Sequence, residues 1–135
     1  MNESISQQTG AVTTLTKQIS DADVALFLLV TGQTTVTPDQ VMPLAAPNTR
    51  QIAPMAMLAA MLSGAAAQHG LRPGSVRLLS EAIRFVEPAY TDDTLTATAE
   101  LIGRDTDSQS LRIFTHCENQ DGRRLAEGEF VLSDQ

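Results

Sequence analysis

The stretch R-Q-I-A-P-M-A-M-L-A-A-M-L-S-G-A-A-A-Q-H-G-L-R-P-G, running from Arg50 to Gly74, constrains everything around it. Between Ile52 and Ala67 it carries no charge, and its apolar residues fall on every side of a helical wheel. A helix of that kind has to be buried almost all round. At ~1.5 Å per residue it is roughly 24 Å long, too short to span a bilayer without strain. Gly70 and Pro73 stop it, so the spacing predicts a helix from Ile52 to Gly70. The chain beyond Gly74 is strand-like, and the simplest solution is one central helix wrapped by a curved sheet.

Downstream, residues 76–85 read as a strand turned at Glu87-Pro88. Residues 94–101 alternate cleanly, with Leu95, Ala97, Ala99 and Leu101 on one face. Asp92-Asp93 before them and Asp105-Thr106-Asp107-Ser108 after them are turn chemistry. Residues 111–117 form the next strand, Asn119-Gln120-Asp121-Gly122 a hairpin turn, and residues 125–132 the last strand. Upstream, residues 1–10 read as a disordered tail and residues 12–19 as a first strand. Ser20 is a good N-cap, and Asp21 and Asp23 suit the positive end of a helix running to about Thr31, which would bury Val24, Phe27 and Leu28. Residues 32–49 hold Pro38, Pro43 and Pro47 among Thr, Gln and Asn and are mostly loop, with one helical turn at Asp39–Met42. The pattern is α+β: residues 1–10 a tail, 11–135 one domain.

Composition narrows the function classes. The net charge of −7 and the pI near 4.6 argue against nucleic acid as a partner, because phosphate neutralisation needs a basic surface. The single Cys117 excludes an intrachain disulfide and fits a cytoplasmic location. The polar opening M-N-E-S-I-S-Q-Q-T-G lacks the apolar segment of a signal peptide, and no membrane association is expected.

The ordered segments resemble the hot-dog fold and, within it, the MaoC-like family of (R)-specific enoyl-CoA hydratases and dehydratases. T-K-Q-I-S-D-A-D-V-A-L-F-L-L-V-T-G resembles the family's opening strand and capped helix, and M-L-A-A-M-L-S-G the start of its central helix. I-R-F-V-E-P-A-Y-T-D-D-T-L-T resembles its strand-turn-strand F-x-x-P-V-x-x-G-D-x-x-T, the most specific of the matches. N-Q-D-G-R-R-L-A-E-G-E-F-V-L resembles its closing hairpin. The resemblance implies a bent antiparallel sheet around a long central helix, and an acyl-CoA or acyl-carrier-protein thioester as ligand. It implies a homodimer, or a heterodimer with a related hot-dog subunit, and no cofactor or metal.

The family's chemistry rests on an Asp-x-Asn-Pro-Leu/Ile-His motif, whose Asp and His activate a water for addition to the enoyl double bond. Here Gln33 stands at the Asp position, Thr35 at the Asn position and Thr37 or Pro38 at the His position, and none of these titrates. The family's His-Gly-Met at the start of the central helix is replaced by Pro54-Met55-Ala56. The amides of Met55 and Ala56 survive as oxyanion donors, although the Met55 side chain crowds the approach. Ser63 matches a Ser that faces the family's site. The resemblance therefore makes Gln33, Thr35, Met55 and Ser63 the candidate substrate-binding residues and leaves the catalytic residues open.

Each residue also has an ordinary reading. Gln33, Thr35 and Thr37 are loop polars, and Ser63 can bond back to the preceding helical turn. Met55, Met57 and Met61 line an acyl chain or simply fill a core. Arg50 and Gln51 contact a phosphate of the carrier or sit on the surface. His69, at the far end of the helix, reads as structural. His116 and Cys117 are strand neighbours and point to opposite faces, which leaves no metal site and makes Cys117 a buried small hydrophobe. Three functions remain in view. One is a hydratase or dehydratase with a degenerate motif, another a non-catalytic acyl-binding subunit of a heterodimeric hydratase. The third is a hot-dog thioesterase using Gln33 or Asp39.

Overall fold

The computed structural model describes residues 8–33, 51–70 and 76–134. Its elements are β1 (Val12–Gln18), α1 (Asp21–Val30), α2 (Met55–Ala67), β2 (Leu78–Phe85), β3 (Thr94–Asp105), β4 (Ser110–Glu118) and β5 (Arg124–Ser133). The five strands form one antiparallel sheet in the order β1-β3-β4-β5-β2. The meander β3-β4-β5 lies at its centre, and β1 and β2 are its edges.

Period-two patterning makes the centre. Leu95, Ala97, Ala99 and Leu101 on β3, Ile113 and Cys117 on β4, and Phe130 and Leu132 on β5 are buried on the face that receives α2. Leu58, Leu62, Ala65 and Ala66 pack down onto them. Each fully buried Leu contributes about 1.5–3 kcal/mol. Alanines at 97, 99 and 126 let the helix backbone come close to the strands.

Three tight connections match the turn chemistry in the sequence. The Asp105 carboxylate accepts from the amides of Asp107 (2.9 Å) and Ser108 (3.2 Å). Those amide hydrogen bonds hold its carboxyl below the usual carboxylate range. Asn119 Oδ1 accepts from the amides of Asp121 (3.0 Å) and Arg123 (3.1 Å), and Gly122 supplies the left-handed backbone of that hairpin at φ 75°. Ser20 and Asp23 form a reciprocal capping box at the start of α1.

Two expectations are corrected. The central helix runs from Met55 to Ala67, not from Ile52 to Gly70. Gln51 to Ala53 stay extended because they pair with the turn ahead of β3: the Ala53 amide donates to the Ala89 carbonyl and the Thr91 amide to the Gln51 carbonyl, both at 2.8 Å. Pro54 disfavours helical backbone at Ala53 and becomes the N-cap itself, with φ −56° and ψ 132°. Nor is the helix buried all round. The sheet covers one side only, and Ala56, Ala60 and Gly64 form an exposed strip with Ser63 half-buried beside it. The remaining strands run within one to four residues of the expected limits. The largest change is β3, which continues past Leu101 to Asp105 through a register shift between Leu101 and Gly103.

Candidate functional site

The start of α2 is anchored before the helix begins. The extended run 51–53 is pinned to residues 89–91, with the Gln51 amide also donating to Thr91 Oγ1 (3.1 Å). Thr91 and Ala89 are buried, so this junction is fixed from below. The Met57 amide donates to the Pro54 carbonyl at 2.9 Å. Met55 and Ala56 open the helix, so their amides have no acceptor within it. No side chain caps this end, and no acidic residue occupies its first turn. The result is a rigidly held pair of N–H donors at the positive end of a helix dipole.

The turn ahead of β3 is held by a buried carboxylate. Asp93, 2% exposed, accepts from the Tyr90 amide (2.9 Å) and from Gln120 Nε2 (3.0 Å). Gln120 Oε1 in turn accepts from the Thr94 amide at 3.0 Å. The sequence marks Asp92-Asp93 as a turn, and the turn is there, with Asp92 at φ 73°. The clamp to Gln120 was not foreseen, because nothing in the local pattern pairs residues 27 positions apart.

Gln33 is exposed just past the end of α1. Its amide nitrogen donates to Thr31 Oγ1 at 2.9 Å, and its backbone N–H to the Leu28 carbonyl at 2.8 Å. Thr31 Oγ1 donates back to the Phe27 carbonyl at 2.8 Å. Gln33 is therefore part of the wrap that ends α1. Thr35, Thr37, Pro38, Asp39 and Arg50 lie outside the described residues. Met55 is half-buried at the first position of α2 and packs against the core. Ser63 is half-buried on the outward side of α2, two turns further along. Among the described residues its hydroxyl makes no hydrogen bond, so it does not bond back to the preceding turn as its ordinary reading supposed.

His69 is where the sequence put it, at the far end of α2 and fully buried. Its Nε2 lies 3.1 Å from Thr13 Oγ1 and 3.0 Å from the Ala99 carbonyl oxygen. Thr13 Oγ1 donates to the Ala65 carbonyl (2.7 Å), and Ala99 O can only accept, so Nε2 carries a proton. The ring ties α2 to β1 and β3. His116 and Cys117 do point to opposite faces. Cys117 is fully buried, and burial pushes its thiol up to about 11, so it is an inert core residue. His116 sits on the outer face near Glu118 (3.8 Å), and burial followed by the nearby Arg124 guanidinium pushes its imidazolium below the ordinary range.

One feature at this end of the molecule was missed. A groove of ≈ 380 Å³ runs between β1, α1 and the first half of α2, lined by Leu15, Leu26, Phe27, Val30, Ala60 and Met61. Met57 and Ile19 form part of its floor, and the ion pair Lys17–Asp23 (3.2 Å) lies at its edge. The signal was present in α1, where Asp23, Leu26, Phe27 and Val30 share a flank at helical spacing next to the core stripe. Among the described residues no group of three His, Cys, Asp or Glu is placed to hold a metal, and no helix is long and apolar enough to cross a membrane.

A bent antiparallel sheet in this strand order, closed over one central helix, is the hot-dog fold, and its structural neighbours are (R)-hydratase hot-dog proteins. Over 93% of its length the chain superposes on the (R)-hydratase of A. caviae involved in PHA biosynthesis, covering 96% of that protein with a TM-score of 0.76 and 26% identity. The R-hydratase of Pseudomonas aeruginosa gives a TM-score of 0.74 and 25% identity over 93% of this chain and 80% of that one. A Streptococcus mutans protein bound to acetyl CoA shares the fold at a TM-score of 0.62 and 10% identity, over 93% of this chain and 82% of that one. No protein-family model matches the sequence, and no curated protein matches it.

Proposed function

We infer that this chain binds an acyl thioester of coenzyme A or of an acyl-carrier protein, with the thioester carbonyl at the amides of Met55 and Ala56. The observation that carries this reading is the start of α2: two open N–H donors, no competing cap, and an anchor that holds them in place. Negative charge that develops on a carbonyl oxygen there meets donors that need no reorganisation. The likeness to two (R)-hydratases over nearly the whole chain supports the ligand class.

Hydration needs more than an oxyanion site. Water adds to the double bond only if a base takes its proton and an acid returns one. Gln33 orients a water without taking its proton, and neither the Gln33 wrap nor the start of α2 offers a group that titrates near neutral pH. We therefore assign the chain as an acyl-binding subunit of hydratase type, whose acid–base pair comes from a related hot-dog chain. Crotonyl-CoA mixed with the purified protein tests this. Binding without turnover, weakened by Met55→Pro, is the expected result. That variant removes one donor, and a second Pro fits because Pro54 is already extended. Hydration by the chain alone would make it a stand-alone enzyme, and absence of binding by folded protein would overturn the reading.

The subunit contact is assigned to β2. Leu78, Leu79 and Phe85 on this edge strand, and Val86 just past its end, are 40–47% exposed. The Val86 amide donates to the Leu125 carbonyl of β5, so the backbone groups of Glu81, Ile83 and Phe85 face outward. In the protein on its own, without the related chain, a two-fold axis through Ala82 pairs those groups with a second copy. It sets the apolar end Leu78–Leu79 of one chain against Phe85–Val86 of the other. Ala82→Cys should then cross-link to itself under mild oxidation, while Arg84→Cys should not. The reverse pattern would exclude this register.

A further inference from the structure

We propose that Glu81 makes β2 a selective edge, one that disfavours a second copy of this chain and favours a related hot-dog strand with Lys or Arg across from Glu81. This selectivity rests on the β2 contact assigned above. β2 carries two charges, Glu81 and Arg84, and the fold uses them differently. Arg84 stands opposite Glu127 of β5 and donates to its carboxylate at 2.6 Å, so its charge is answered within the chain. Glu81 stands opposite Phe130 and therefore points to the other face, the one that receives α2. It is exposed there, and among the described residues its carboxylate makes no ion pair or hydrogen bond. Its neighbours on that face are Ile83, half-buried against the core, and Phe85. One unanswered negative charge thus sits at the centre of an edge whose two ends are apolar.

The two-fold pairing through Ala82 shows what that charge does to a second copy. Glu81 of one copy lies opposite Ile83 of the other, and the two Glu81 become diagonal neighbours on one face. Their backbones are then ~7–8 Å apart, within reach of long side chains. Each carboxylate also lies against an Ile side chain, which displaces water and strengthens the repulsion. Arg84 of either copy does not relieve it, because it lies on the opposite face. Self-pairing that the apolar ends favour is therefore opposed at its centre. A charge turned inward on an edge strand can also guard against edge pairing of any kind. A guarded edge, however, would not flank its charge with the exposed apolar residues Leu78, Leu79, Phe85 and Val86. A strand with a basic side chain at the position of Ile83 or Glu81 keeps the apolar contacts and turns the central repulsion into attraction. The partner that fits is a strand apolar at its ends and basic at its centre, the complement of β2 and not its copy.

Glu81→Lys turns this chain into a surrogate for that partner. Sedimentation velocity over a dilution series gives the self-association of wild type, Glu81→Gln and Glu81→Lys. Glu81→Gln should dimerise roughly two- to fivefold more tightly than wild type, the scale of one like-charge cross-strand pair. An equimolar mixture of wild type and Glu81→Lys, with one chain isotope-labelled, is then resolved into its dimers by native mass spectrometry. Heterodimer should exceed its statistical half share. A statistical mixture would overturn the proposal. With Glu81→Gln dimers also no tighter than wild type, Glu81 would be irrelevant to pairing; with tighter ones, it would be a guard against any partner. In both cases self-cross-linking of Ala82→Cys would leave the β2 contact standing. Failure of that cross-link, or no association in any combination of folded chains, would remove the contact and the proposal together. Crotonyl-CoA binding to the same samples reports separately on the thioester reading, since Glu81 lies on β2 and not at the start of α2.

Discussion

Strands β3, β4 and β5 alternate buried and half-buried or exposed residues almost without interruption, whereas α1 and α2 are apolar on faces that the sheet never reaches. In the meander each buried side chain has a partner on α2 or a neighbouring strand. At the helical end, Leu26 at 51% and Val30 at 75% remain exposed beside a groove. Apolar surface that folding alone does not consume is surface left for something else. The contrast separates what holds the chain together from what it presents, and substitutions in the two regions should behave accordingly.

The largest effect should come from the meander. Phe130 is fully buried on β5 opposite Ile113, and Phe130→Ala should cost about 3–5 kcal/mol of unfolding free energy. Denaturant titration reads this directly. Leu26→Ala, on the groove wall of α1, should shift the midpoint far less, because half its surface is already in water. Equal losses at the two positions would break the comparison.

Asp93 joins the two regions, since it clamps the turn below α2 to the β4–β5 hairpin. Asp93→Ala removes the acceptor for the Tyr90 amide and for Gln120 Nε2, and should cost about 1–3 kcal/mol. If the clamp positions the α2 amides, crotonyl-CoA affinity should fall in the same variant at temperatures where it remains folded.

How much of the molecule was legible in the sequence divides along the same line. The meander could be read to within a few residues because Leu95, Ala97, Ala99 and Leu101 declare a period of two and the Asp and Asn turns declare their ends. The long helix was recognisable by its lack of charge, but its first turn was placed too early. The pairing of Gln51 to Ala53 with residues 89–91 is a long-range contact that outweighs local helix propensity. The same lack of charge suggested burial on all sides, which a single sheet cannot provide. The groove and the Asp93–Gln120 clamp were invisible for a related reason, as both are made by segments distant in the chain. Of the four candidate binding residues, Met55 and Gln33 fall on the segments that frame the start of α2 and the end of α1. Ser63 falls on the outward strip, and Thr35 lies outside the described residues.

A smaller effect belongs to the start of α1. Ser20→Ala removes the side-chain cap on the Asp23 amide (3.1 Å) and should cost ~1 kcal/mol. Asp23 has a folded pKa below its ordinary value of 3.8, so its contribution is complete above that pH and fades as the pH falls through the lowered value. Unfolding measured from pH 6 down to pH 2 should show the wild type losing more stability than Asp23→Asn.

The smallest effect lies on the outer face of the sheet. His116 has its folded pKa lowered from 6.5, chiefly by burial and then by Arg124, against the opposing pull of Glu118 and Glu127. A depressed pKa means that the unfolded chain takes up this proton first. Stability from His116 is therefore whole above about pH 6.5 and declines as the pH falls through the lower folded value. The His116 Nδ1 atom is buried without a hydrogen-bond partner among the described residues, so nothing compensates the neutral ring for its lost water. His116→Phe keeps the contact with Phe114, whose ring centroid lies 6.3 Å away, and removes the titration. Thermal unfolding of the two proteins at pH 7.5 and pH 5.5 should show a decline in the wild type that the variant lacks. A parallel decline in both would place the titrating group elsewhere in the chain.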